Sequence, residues 1–375
     1  MRILILVAAI LLSSCASIVG DGQDLPSSPT PHSGPAEAPT ATFAEAFWQA
    51  RIDAAFAASD CPPVPEPAYD GPNYAGPLID THFHVPAIPD SAPGSSGGDY
   101  EGGFPHLGVN ATIPQIVCTL EHEGTDRVFA FFPVYHPIRQ QLLDIARRMM
   151  DEYPGRFVPF IMPPGEDVGT VAAGDIEEMI AVYPGLFVGY GEIGLYGTEP
   201  GAGNDWPPNG PIFREIYPLV REHKLIVYFH PGEGHAEILE QVLAEHPDIK
   251  FIVHGEQVEE QIGELMGRFP NIFFTVNDLY GDQYLLHQGE NTRSFLAALE
   301  DVEPLLERDV AKWKDLIEAH PDQFLWGTDR GGPAAWTFDR AVGQALADYG
   351  RAFISRLEPA VQEKFAYKNA EGLFE

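Results

Sequence analysis

The run Asp80-Thr81-His82-Phe83-His84 carries two imidazoles one residue apart at the end of a short apolar stretch. On an extended strand, residues i and i+2 face the same side, so both rings can grip one ion. Four further ligand-type residues end other short apolar stretches. They are Glu192 in Gly191-Glu192-Ile193-Gly194-Leu195, His230 before Pro231, His254 before Gly255, and Asp329 in Gly327-Thr328-Asp329-Arg330. A lone histidine at a strand end is ordinarily a hydrogen-bonded structural residue. Four imidazoles and two carboxylates brought together are costly to bury unless a cation compensates them. Imidazole nitrogens and carboxylate oxygens are the donors that zinc and similar ions take in catalytic sites. The ion expected is therefore divalent: zinc, as one or two ions, with manganese or another divalent metal as the alternative. Such an ion lowers the pKa of water toward ~7 and makes hydroxide available at neutral pH. Asp329 is the candidate base that takes the proton from that water and passes it to the leaving group. For Asp80 a structural role is preferred to an orienting one.

Eight short β-branched or aromatic runs must position these residues: 77–82, 127–134, 157–162, 186–193, 225–230, 250–254, 271–276 and 323–328. Helical patterns separate them, for example at 138–152, 176–182, 211–223, 236–245, 259–268 and 308–319. Several of the runs are continuously apolar, as expected for strands covered on both faces. Eight such units in one chain predict an α/β fold, a (β/α)₈ TIM barrel, with a short N-terminal helical extension. An open doubly wound sheet is the alternative, and the lack of a G-x-G-x-x-G after the first strand weakens it. Two long connections, 85–110 and 196–210, are rich in Gly and Pro and follow strands, which places them at the active-site end of a barrel. Substrate recognition is expected from Arg330, Tyr196 and His235 first, with Trp206, His106, Asp278 and Tyr280 as further candidates. Arg330 heads this group because it follows Asp329 directly and could hold a carboxylate with both arms of its guanidinium.

The chain resembles the amidohydrolase superfamily, in its amidohydrolase-related branch, from about residue 77 to 374. The resemblance rests on His82-x-His84, His230, His254, Asp329 and the ending Lys364-Phe365-Ala366-Tyr367-Lys368-Asn369-Ala370-Glu371-Gly372-Leu373-Phe374. It implies that His82, His84 and Asp329 hold the more buried ion, that His230 and His254 hold a second, and that Glu192 bridges or ligates them. Many binuclear members use a carboxylated lysine on the fourth strand. Here Glu192 stands instead, in a motif similar to that of TatD-type hydrolases. The implied activity is hydrolysis of a small-molecule amide, ester or lactone outside the cytoplasm. Members with one ion can decarboxylate aromatic acids, usually with an altered first motif, and the intact His82-Phe83-His84 counts against that. A non-catalytic lipid-anchored receptor is the other alternative.

The 375 residues include 55 acidic and 22 basic ones, a formal charge of −33. That field repels phosphate backbones, so the partner expected is a small-molecule substrate and not nucleic acid. At the N-terminus, Arg2 and the apolar residues 3–12 precede Leu12-Ser13-Ser14-Cys15, which resembles the lipobox of bacterial lipoproteins. The expectation is a signal peptide over 1–15 with Cys15 as the lipidated residue. A cell-envelope location follows, anchored in the outer membrane and facing the periplasm, because no Asp follows Cys15. Residues 16–41 read as a flexible tether. Residues 42–76 read as a helix, with Phe43, Phe47, Trp48, Ile52 and Phe56 on one face, followed by an extended arm; 77–375 form the barrel. Cys61 and Cys118 remain as a possible disulfide in an oxidising compartment.

Overall fold

The computed structural model describes residues 49–374 apart from 51, 64, 66–68, 86–111, 135–138, 163–171, 196–205, 278, 281–290 and 332–334. Eight strands pair in parallel in chain order. They are β1 (Leu78–His84), β2 (Thr125–Pro133), β3 (Phe157–Met162), β4 (Gly189–Gly194), β5 (Ile226–His230), β6 (Phe251–Val253), β7 (Ile272–Val276) and β8 (Phe324–Trp326). Between them run α1 (Ile113–Glu123), α2 (Arg139–Glu152), α3 (Ala173–Val182), α4 (Pro211–His223), α5 (Ala236–Glu245), α6 (Glu256–Arg268), α7 (Thr292–Ala298) and α8 (Val302–Ala319). After β8 come α9 (Arg340–Ile354), α10 (Pro359–Glu363), a π-turn and α11 (Asn369–Phe374). This is the TIM barrel that the alternating runs imply. Of the N-terminal extension, helical residues 49, 50 and 52–55 are described, with Ile52 and Phe56 buried. Cys15 and the whole of 1–48 lie outside the described residues.

Two apolar layers divide the strand residues by parity. Phe129 with Phe131, Val158 with Phe160, and Ile226 with Tyr228 point into the barrel, where Ile79, Ile252 and Leu325 join them. The intervening residues, such as Val128, Ala130, Val227 and Phe229, pack against the surrounding helices. Leu373 and Ala370 of α11 complete the inner cluster, and the Phe374 ring meets Phe129 at 5.9 Å. The C-terminal segment therefore plugs one end of the barrel. Higher up, His82 packs edge-on against Phe131 and Tyr228 at 5.2 and 5.3 Å, so the ligand-type residues occupy the other end.

The seam between β8 and β1 is closed differently from the other seven. Phe83 and Arg330 form an isolated bridge, and the His84 amide donates to Arg330 O at 2.8 Å. Side chains do the rest. Asp80 is fully buried, and its Oδ1 accepts from the Thr328 and His82 amides at 2.9 and 3.0 Å. Its Oδ2 accepts from the Thr328 hydroxyl at 2.6 Å, and Thr81 Oγ1 donates to Trp326 O at 2.8 Å. Burial raises the Asp80 pKa, and these donors together with Arg330 oppose the rise. Asp80 thus has a defined structural task, tying the first ligand-bearing strand to the last.

A disulfide joins Cys61 to Cys118 with Cα atoms 6.0 Å apart, within the usual range. It fixes the extended arm to α1. That helix is well delimited: Thr112 and Gln115 form a capping box, and Gly124 ends it at φ 68°.

Candidate metal centre

β1 runs two residues beyond the predicted 77–82, which places both His82 and His84 on the strand. β8 stops two residues short of its predicted end at Thr328. The chain leaves the sheet at Gly327, and Asp329 adopts φ 54°. That left-handed turn is unfavourable for most residues but tolerable for Asp, and backbone of this kind clusters at functional sites. Gly327 permits the close approach to His82, because a Cβ there would reach 3.0 Å from the His82 Cβ.

The structure brings all six proposed ligands together. His82 Nε2 lies 3.2 Å from both His84 Nε2 and Glu192 Oε2, and 3.0 Å from Asp329 Oδ1. His84 Nε2 lies 3.1 Å from Glu192 Oε2 and 3.3 Å from Asp329 Oδ1. Four donors bound tetrahedrally at ~2.0–2.1 Å from one ion stand about 3.3 Å from each other. The separations among His82, His84 and each carboxylate run from 3.0 to 3.3 Å, so the two imidazoles with either carboxylate fit one divalent ion of zinc-like size. A second group uses the other oxygen of the Glu192 carboxylate. Glu192 Oε1 lies 2.5 Å from His254 Nε2 and 3.3 Å from His230 Nδ1. Three donors leave room for a water or substrate at a second ion. His82, His254 and Asp329 form an overlapping trio of suitable spacing.

Charge and burial fit the same purpose. His82 and His254 are 0% and 1% exposed. Burial drives the His254 pKa down to about 3, helped by the neighbouring His230, which keeps its ring neutral as a ligand must be. Burial would also lower that of His84, but its hydrogen bonds to Asp329 and Glu192 outweigh it and push the value up to about 10. Burial opposes ionisation of Asp329 and Glu192 too. The surrounding imidazoles overcome it and hold both carboxyls below the usual carboxylate range.

Two amides that the sequence did not single out complete the site. Asn277, just past β7, places Nδ2 3.1 Å from Asp329 Oδ2, 3.2 Å from His254 Nδ1 and 3.4 Å from His82 Nδ1. Gln257, in the first turn of α6, sets Oε1 3.3 Å from His230 Nε2. Accepting from that nitrogen fixes the tautomer that leaves Nδ1 bare toward Glu192. Gly255, at φ 97°, makes the space: a Cβ there would stand 2.7 Å from both His230 Nε2 and Gln257 Oε1. Gly255 immediately follows His254, and that adjacency was the available signal.

Three of the expected substrate contacts are buried. Arg330 is 2% exposed and gives both terminal nitrogens to Glu123 at 2.8 Å, over the face of Phe83. With Asp329 turned into the barrel, its neighbour turns out toward the helices, so Arg330 is a structural residue. His235 is buried in the turn after β5, where Nδ1 accepts from the Gly232 amide at 2.8 Å. Tyr280 is buried against Tyr349 and Phe295, and its amide donates to Asp309 at 2.6 Å. Trp206 is half-buried against the core. Tyr196, His106 and Asp278 lie outside the described residues.

The family profile described as amidohydrolase matches residues 79–375, and the chain belongs to that family. No curated protein matches it. Among solved structures, a zinc-bound amidohydrolase from Burkholderia multivorans gives a TM-score of 0.50 at 14% identity, covering 80% of this chain and 99% of that one. A 2,6-dihydroxybenzoate decarboxylase from Rhizobium gives 0.47 at 17% identity, covering 80% and 98%. A probable 2-pyrone-4,6-dicarboxylic acid hydrolase from Acinetobacter baumannii gives 0.48 at 13% identity, covering 79% and 98%. At these identities the likeness concerns the fold.

Proposed function

We propose that the chain is a metal-dependent hydrolase that cleaves a small-molecule amide, ester or lactone, exported and anchored to the outer membrane through Cys15. The observation that carries the hydrolase reading is the division of labour at Glu192, whose two oxygens serve two adjacent groups of donors. His82, His84, Glu192 and Asp329 would hold one ion, and His230 and His254, with the other oxygen of Glu192, a second. Zinc suits the donors and the spacing best, with manganese next. A divalent ion bound here supplies a Lewis acid that acidifies a water and polarises a carbonyl oxygen. Asp329 remains ionised throughout the neutral range and can take a proton on one carboxylate oxygen, then return it to the leaving group. Asn277 holds Oδ2 of that carboxylate in place. The inner aromatic floor of Phe131 and Tyr228 closes the site to water from below.

Kinetics of the purified, metal-restored protein on lactones, esters, N-acyl amides and phosphotriesters test this reading, with carbon dioxide release from aromatic acids as the competing outcome. Asp329→Asn keeps an oxygen donor without its basicity. It should retain metal and lose about 10²–10⁴-fold in turnover. His82→Ala and His230→Ala should lose metal as well as rate. Near-wild-type turnover in Asp329→Asn at full metal content would exclude Asp329 as the base. Carbon dioxide release alone would make the chain a decarboxylase, and metal binding with no turnover on the whole panel would favour a receptor.

A further inference from the structure

Cys118 and His122 stand four residues apart on α1, about one turn of helix, so their side chains share a face. Cys61 of the extended arm meets them there. Its Sγ lies 3.7 Å from His122 Nε2, and the three ligand atoms are all within 4.8 Å of one another. Around a tetrahedral zinc, with sulfur at ~2.3 Å and nitrogen at ~2.0–2.1 Å, a sulfur and a nitrogen stand about 3.6 Å apart and two sulfurs about 3.8 Å. The spacing of Cys61 and His122 is already of that size. Two thiolates and an imidazole are also a softer donor set than the imidazoles and carboxylates of the barrel centre, with which this trio shares no residue.

A structural disulfide needs only its two cysteines, and His122 adds nothing to that bond. Among the described residues its ring has no hydrogen-bond partner other than Cys61. The arm, for its part, does not depend on the disulfide for its place. Gln115 Nε2 donates to Asp60 O at 3.2 Å, and the Ser59 and Thr112 hydroxyls share a hydrogen bond of 2.5 Å. Just upstream, Phe56 is buried, with the Arg148 guanidinium 4.1 Å from its ring centroid. None of these contacts involves sulfur, so reduction leaves Cys61 beside Cys118 and His122. Cys61 and His122 are exposed and Cys118 is half-buried, so a reductant and an ion can both reach the trio, and solvent can supply a fourth ligand.

We propose that the dithiol form of this chain holds a zinc ion on Cys61, Cys118 and His122, and that the Cys61–Cys118 disulfide is the oxidised state of the same site. The conversion balances in two steps. A dithiol reductant passes two electrons and two protons to the disulfide: its own two S–H groups become one S–S bond, and Cys61 and Cys118 become thiols. Zinc then replaces both thiol protons, which leave to solvent, while neutral His122 gives the lone pair of Nε2. Two thiolates balance the charge of the ion, so the site needs no carboxylate. The ion ties the arm to α1 where the disulfide tied it before.

The test uses full-length protein whose barrel centre is already filled with zinc, and it reads binding, not turnover. Cobalt(II) is titrated into the oxidised protein and into protein reduced with a phosphine. A sulfur-to-cobalt charge-transfer band in the near ultraviolet reports this site alone, because the barrel centre has no sulfur donor. About one equivalent should bind with that band after reduction and none before it. Zinc should displace the cobalt and slow alkylation of both thiols. His122→Ala should still form the disulfide, which shows that it folds, and once reduced it should bind cobalt at least about tenfold more weakly, since losing even a ligand's partner costs that much. His122→Cys, which supplies a third thiolate, should recover the affinity. Reduced wild-type protein should melt below the oxidised form, and zinc should restore part of the difference in the wild type but not in His122→Ala. No added equivalent on reduction, binding without the charge-transfer band, or equal affinity in His122→Ala would overturn the proposal and leave the pair a plain disulfide. So would reduced protein that unfolds and takes up no cobalt.

Discussion

Removing the Arg330 cation gives the most direct check on the packing beneath the metal centre. Arg330→Met keeps most of the side-chain volume and deletes the charge. What remains is Glu123, 3% exposed, with two former hydrogen bonds of 2.8 Å gone. Asp80 loses a stabilising positive neighbour as well. Breaking a buried pair from one side costs about 3–5 kcal/mol, because the surviving charge has no compensation. At about 2 °C per kcal/mol for a domain this large, the melting temperature should fall by roughly 6–10 °C. Arg330→Met/Glu123→Leu removes both charges and should recover most of the loss, giving a coupling energy of a few kcal/mol in the double-mutant cycle. Urea and thermal unfolding by circular dichroism, at matched metal content, measure this. A loss under about 1 kcal/mol accompanied by a raised KM would refute the reasoning and return Arg330 to the substrate.

Three other outcomes follow from the same structure. Metal binding must displace the proton that His84 holds in the metal-free protein, whose pKa is about 10. Calorimetry at pH 7.5 in two buffers of different ionisation heat should show about one proton released, and affinity should rise about tenfold per pH unit up to roughly pH 10; no release would contradict the placement of His84. The same raised value gives the metal-free fold a contribution that is complete below pH 6.5 and lost as pH rises through about 10. Reducing the Cys61–Cys118 bond, which closes a loop across a separation of 57 residues, should lower stability by about 4 kcal/mol, and two titratable thiols in the untreated, denatured protein would show that the bond does not form.

Residue types and parity in the sequence carried the barrel and the ligand set, because both depend on local rules. A strand covered on both faces is apolar throughout, and His82-Phe83-His84 declares its inward side. Arg330 faces outward because the chain leaves the sheet at Gly327 and turns through the left-handed Asp329, a turn that has no signature in the sequence. Asn277 and Gln257 were not legible, since one amide beside a turn has no pattern; only the approach of three strand ends gives each its task. α7 and α9 leave little trace in the sequence for a related reason. The first is 7 residues long, too short for a clear helical period. The inner face of the second includes Gly343, Ala347 and Gly350, small residues that read as neither apolar nor polar but are required by contact with Glu123, Arg330 and Trp326.

The tie that Asp80 makes across the seam has a consequence for how the molecule is built. The quartet of donors draws His82 and His84 from the first strand and Asp329 from beyond the last. While the chain is still being made, those residues belong to separate unfinished pieces. Only when the eighth strand docks on the first do the four atoms come within reach of one another. A partly assembled barrel therefore has no complete quartet with which to capture an ion, and acquisition of the metal in that position waits for the last joint of the fold to close.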